Sequence, residues 1–134
     1  MTVTTSLLAD HPEHLPTVAQ WLFDEWAGRH TNSTVAIVAE RLQSHLQRDR
    51  LPLMVVAVDG TECVGCASVR EADLSERDDL TPWLASVYVP EPRRRAGIGA
   101  TLVRAAESEA ARLGAKTLYL FTPDKQGFYG DLGW

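Results

Sequence analysis

Between Trp83 and Thr122 the sequence reads as an apolar run, WLASVYV, then PEPRRRAGIG, then a helical stretch, then a second apolar run, KTLYLFT. An unbroken apolar run bounded by turn residues fits a strand covered on both faces. Pro90 and Pro92 end it, because proline cannot donate to a ladder. From Gly99 to Leu113, the residues Leu102, Val103, Ala106, Ala110 and Leu113 fall on one helical face, and Gly114 is placed to stop the helix. Strand, helix and strand in so short a span predict two parallel strands joined by a right-handed crossover. That unit limits the fold more than any other feature of the chain.

The rest of the sequence supplies elements to surround it. TVTTSLLAD is β-branched and alternating, which predicts a first strand. Val18, Trp21, Leu22 and Trp26 recur at helical spacing, with Gly28 closing the helix. Val35, Val38, Leu42 and Leu46 make a second helical stripe, capped by Ser33 or Thr34. LPLMVVAVDGTECVGCASVREAD predicts two strands joined at DGTE, and LSERDDLTP a loop. DKQGFYGDLGW predicts a last short helix. No repeat, low-complexity tract or linker interrupts this order, so the expectation is one domain over 1–134.

The chain has 134 residues, 45% of them apolar, and a formal net charge of −5, which argues against general nucleic-acid binding. No apolar run is long enough to span a bilayer and the N-terminus lacks a basic signal region, so a cytoplasmic protein with no membrane partner is expected. Cys63 and Cys66 form one C-x-x-C without two further ligands at matching spacing. On a strand, positions three apart point to opposite faces, so the expectation is two buried or half-buried thiols. His11 and His14 are one turn apart without a visible third ligand, and surface or capping roles are expected. No metal is expected.

The glycine turn carries the chemistry. The first N–H groups of a helix have no internal partner and sit at the positive end of its dipole. Gly97 and Gly99 leave room for an anion to approach them, and Arg93, Arg94 and Arg95 add charge nearby. A phosphate is the ligand this suggests. GIGATL lacks the lysine of a P-loop, and Leu102 stands where a dinucleotide fingerprint has its third glycine.

SVYVPEPRRRAGIGATLV resembles the Q/R-x-x-G-x-G/A motif of the GNAT superfamily of N-acetyltransferases, with Arg94, Gly97 and Gly99 at its marked positions. Arg95 stands where that family often has glycine, and Ala96 where it often has a basic residue. FYGDLGW is similar to the family's second signature through Phe128, Tyr129, Gly133 and Trp134. The resemblance covers the last third to half of the chain. It implies an α/β (α+β) fold with a mixed, mostly antiparallel sheet and a central parallel unit with splayed strands. It implies acetyl-CoA as co-substrate, its pantetheine arm on the backbone of Val87, Tyr88 and Val89. Its diphosphate would lie against the turn of Arg94, Arg95, Ala96, Gly97, Ile98, Gly99 and Ala100, with the Thr101 hydroxyl adding a contact. Two further strands normally follow the second signature and are not in this sequence. The KTLYLFT edge is then expected to be open, and a homodimer to cover it.

The implied reaction is direct acetyl transfer to a primary amine of a small molecule or peptide. Tyr129 matches the family's frequent general acid, and a backbone N–H on the splayed strand near Val87 is the implied oxyanion donor. Glu71 or Asp73, at the end of the neighbouring strand, is a candidate base, and Glu25 a further one. The alternative is a non-catalytic, acyl-CoA-binding or dimerising relative that has lost its acceptor side.

Overall fold

A computed structural model describes residues 2–134. Among the described residues the sheet has four strands in sequence order, β1 (Val3–Leu7), β2 (Leu53–Asp59), β3 (Glu62–Arg70) and β4 (Trp83–Tyr88). Each is antiparallel to the next. The β2–β3 turn forms at the expected DGTE, with Gly60 at φ +65°, where a side chain would be strained.

Helices cover both faces. α1 (Leu15–Glu25) and α2 (Val35–Leu42) lie on one. They pack Leu15, Val18, Leu22, Val38 and Leu42 against Met54, Val56, Cys63 and Cys66. α3 (Ile98–Arg112) lies on the other, with Ile98, Leu102, Val103, Ala106 and Ala110 against Val55, Ala57, Ala67, Val69 and Leu84. A short α4 (Gln126–Asp131) follows. Burying this apolar surface stabilises the fold by roughly 25 cal/mol per Å², and the two clusters explain why β2 and β3 read as nearly continuous apolar runs.

Several details differ from the sequence expectations. α1 is flanked by single tight turns, so Gly28 lies within the turn Ala27–Arg29 and does not cap the helix. α2 ends at Leu42 and continues only as the tight turn Gln43–His45. Its cap is Thr34, whose Oγ1 accepts from the Ile37 N–H at 3.1 Å. Cys63 and Cys66 are both buried, as expected, but share the α1/α2 face. A bulge is the reason. The pairing of Val58 with Cys63 and of Ala57 with Gly65 leaves Val64 extra, and the alternation slips by one.

KTLYLFT does not form the expected strand. It meets β4 at a single parallel bridge, Trp83 with Tyr119. There the Leu84 N–H donates to the Tyr119 carbonyl at 2.8 Å and the Tyr119 N–H to the Pro82 carbonyl at 3.0 Å. The crossover is therefore parallel, as predicted, but its second arm pairs at one residue. β4 has a bulge of its own just beyond this point. Its register against β3 jumps between Ala85 and Tyr88, and Ser86 takes φ +54°. The two segments separate where that bulge begins.

Candidate functional site

Gly65 sets how closely α3 approaches the sheet. A Cβ built there would lie 2.6 Å from Leu102 Cδ1 and 3.1 Å from the Tyr88 carbonyl oxygen. With hydrogen in that place, the start of α3 sits directly over β3 and the end of β4. Gly97, at φ +81°, turns the chain into the helix, following Arg95 at φ +67°. The first main-chain bond of α3 is from the Thr101 N–H to the Gly97 carbonyl at 3.1 Å. The N–H groups of Ile98, Gly99 and Ala100 are thus the orphan donors of the first turn. Nothing lies within 4 Å of a Cβ placed on Gly97, whereas one on Gly99 would touch the Phe128 ring at 3.4 Å. The turn is an open cradle of main-chain donors, and its donor set fits a diphosphate.

The three arginines divide their roles. Arg93 is held by Asp59 Oδ2 at 2.9 Å and Glu62 Oε1 at 2.6 Å, beside the β2–β3 turn. Arg94 donates from Nε to the Val89 carbonyl at 2.8 Å and lies 5.6 Å above the Tyr88 ring. Arg95 is exposed and makes no ion pair among the described residues. The Thr101 hydroxyl donates to the Gly97 carbonyl at 3.0 Å. Val87, Tyr88 and Val89 are half-buried beside the gap that opens past the Trp83–Tyr119 bridge.

Tyr129 is half-buried on the α3 face, edge-on to Phe128 at 5.0 Å and Trp134 at 6.0 Å. Burial pushes its phenol above the usual tyrosine range, so it holds its proton at neutral pH. α4 is fixed along α3 at two points. Arg104 Nη2 donates to the Leu132 carbonyl at 2.7 Å, and the Trp134 indole N–H donates to Glu107 Oε2 at 3.0 Å. Phe128 therefore reaches the glycine turn while Trp134 lies further along the helix.

Glu71 is elsewhere. It lines an open cavity of about 400 Å³ with Thr81, Pro82, Ala110 and Gly114, at the C-terminal end of α3. The distance along α3 from Ile98 to Ala110 is roughly 18 Å at 1.5 Å per residue, so Glu71 is not brought to the glycine turn. Asp73 is placed differently: its carboxyl is 20% exposed, and its Oδ1 lies 3.7 Å from Arg70 Nη1. Burial raises its pKa, with the Arg70 charge opposing. Arg70 in turn donates from Nη2 to Ser86 Oγ at 2.7 Å, at the β4 bulge. Glu25 is half-buried at the end of α1.

Sequence reasoning missed Gly65, Arg70, Ser86 and His45. A glycine inside a strand pattern was the available signal for the first. Arg70 and Ser86 become neighbours only through strand register, and His45 comes from the turn that ends α2. His11 and His14 lie with ring centres 6.3 Å apart, and His11 pairs with Glu13 at 3.5 Å.

An antiparallel sheet that opens beside β4, with a glycine-initiated helix at the opening, defines the acyltransferase class of α+β domains. The sequence profile described as the acetyltransferase (GNAT) family matches residues 3–134, and the chain belongs to that family. No curated protein sequence matches it. Similar solved structures include a predicted acetyltransferase from Clostridium acetobutylicum with acetyl-CoA (TM-score 0.73, 14% identity, 99% of this chain and 90% of that one). Others are an N-acetyltransferase from Ralstonia eutropha (0.68, 19%, 99% and 92%) and glucosamine-6-phosphate N-acetyltransferase from Arabidopsis thaliana (0.67, 16%, 100% and 92%). At these identities the likeness is one of fold. Among the described residues no helix is long and apolar enough to cross a membrane.

Proposed function

We propose that the chain is an acetyl-CoA-dependent N-acetyltransferase, a single cytoplasmic domain that moves an acetyl group directly to an amine. The observation that carries this reading is the cradle at the start of α3. Its first amides are unpaired, and it stands beside a strand whose other edge is open past its single bridge to Tyr119. The diphosphate of acetyl-CoA would take the N–H groups from Arg95 to Ala100, with charge from Arg95. The pantetheine arm would lie along Val87, Tyr88 and Val89 as an added strand.

The amine must first lose a proton. Asp73 has better support for accepting it than Glu71, because it is half-buried and linked through Arg70 to the β4 bulge. The amine nitrogen then bonds to the thioester carbonyl carbon, and the Val87 N–H stabilises the oxygen as it gains charge. As the carbon–sulfur bond breaks, the thiolate takes a proton from the Tyr129 phenol. The second amine proton leaves to solvent, and the products are an N-acetyl amide and free coenzyme A.

Incubation with acetyl-CoA and a panel of amines, read by thiol release, tests the reading. Amine-dependent release is expected. Binding of coenzyme A without release from any amine would identify a coenzyme-binding relative that has lost catalysis.

A further inference from the structure

The α1/α2 face of the sheet holds a polar group whose hydrogen-bonding capacity is incompletely used. Arg70 ends β3 on this face, and its side chain is 32% exposed. Nη2 is held by Ser86 Oγ, and Nε is buried with no acceptor. Nη1 faces Asp73 Oδ1 at 3.7 Å, well beyond the ~2.8 Å of a closed charge-assisted bond. His45, from the turn that ends α2, is only 8% exposed and its Nε2 also lacks a partner. Burial, aided by the nearby Arg70 charge, keeps its ring neutral.

A guanidinium with unused donors and a carboxylate that approaches without closing on it set opposite charges side by side. That arrangement is complementary to a molecule with a carboxylate and an amino group on adjacent positions. Ser86 ties the pair to the bulge where β4 turns from its neighbour, next to the Val87 amide. We propose that Arg70 and Asp73 anchor the acceptor, and that the acceptor is a free α-amino acid, its carboxylate on Arg70 and its amino group against Asp73.

This rests on the acetyltransferase reading and narrows it to one class of amine. Two parallel N–H donors of a guanidinium match a carboxylate in plane, which fixes where the amino group lies. A polyamine would bring a second cation against Arg70, and a peptide N-terminus has an amide where the carboxylate is needed. Asp73 then faces the nitrogen that must lose its proton before attack.

Equilibrium calorimetry in the presence of coenzyme A, with the proteinogenic L-amino acids and their α-amides as probes, tests the proposal. At least one amino acid should bind about tenfold or more tightly than its amide, the ratio expected for a charged hydrogen-bonded pair. Arg70→Lys, which keeps the charge and loses the fork, should abolish that preference while coenzyme affinity stays within about twofold. Asp73→Asn, in the loop after β3, should weaken the same amino acid without weakening coenzyme A. Equal binding of every amino acid and its amide, or an unchanged preference in Arg70→Lys, would overturn the proposal. Selective amino-acid binding with no acetyl transfer would leave the anchoring pair standing and refute the enzyme reading instead.

Discussion

The two sides of the β3–β4 region offer ligands different materials. On the α3 side the cradle is main chain: three amides, two glycines and a helix dipole. On the α1/α2 side the polar surface is side chain, built from Arg70, Asp73, Ser86 and His45, which come from three separated parts of the sequence. A site made of backbone depends on where glycine permits close approach. A site made of side chains depends on register and burial. The first tolerates changes of residue type that the second does not.

The largest expected effect lies on the α3 side, where one side chain is proposed to act in a main-chain setting. Tyr129→Phe removes the proposed acid and keeps the ring packed between Phe128 and Trp134. Turnover should fall by about 10²-fold or more, as for loss of a general acid, with coenzyme affinity nearly unchanged. An equal loss in affinity, measured by calorimetry, would make the ring structural and erase the contrast.

The next effect tests the α1/α2 side through acid. The buried His45 ring has its pKa lowered to about 4 from 6.5, by burial first and the Arg70 charge second. In the unfolded chain it binds a proton near pH 6.5, while in the folded chain it stays neutral down to about pH 4. The unfolded state therefore gains protons first, and stability falls as pH drops through that window. The loss approaches about 3 kcal/mol near pH 4, at 1.36 kcal/mol per unit. Urea unfolding between pH 7 and pH 4 reads this, and His45→Gln should flatten the slope. The same slope in both proteins would remove His45 as its source.

The smallest effect separates the two glycines. Gly97→Ala forces a Cβ into φ +81° with nothing within 4 Å, so its cost is conformational, about 1 kcal/mol. Gly99→Ala meets the Phe128 ring at 3.4 Å and Val89 Cγ2 at 4.0 Å, both ordinary contacts, and keeps helical geometry. Thermal unfolding should therefore rank Gly97→Ala below Gly99→Ala. The reverse order would place the constraint in packing rather than in the main chain.

The same division governs what was legible in the sequence. The hairpin, α3, the short α4 and the glycine turn were readable because periodicity and turn residues encode them locally. The common face of Cys63 and Cys66 was not, because the bulge at Val64 shifts the alternation, and Val64 itself looks like any strand residue. KTLYLFT had a strand's composition, yet the Ser86 bulge leaves it one paired position. Arg70 carried no signal in the sequence. Only the register that brings it to Ser86, and the loop that returns Asp73, give it neighbours. Glu71 was a candidate because its strand was expected to neighbour WLASVYV; β3 does pair with β4 through Arg70 and Trp83, and the side chain of Glu71 lines the cavity at the end of α3.

The pinning of Arg93 between Asp59 and Glu62 bears on how fast a polyanion finds its berth. Three consecutive arginines suggest a strong electrostatic lure, but one is neutralised by two carboxylates and another is occupied by a carbonyl and an aromatic face. With a net charge of −5 on the whole chain, the long-range field does not draw in the proposed polyanion, coenzyme A. Capture of the proposed coenzyme would then rely on short-range fit, and added salt should not slow the encounter.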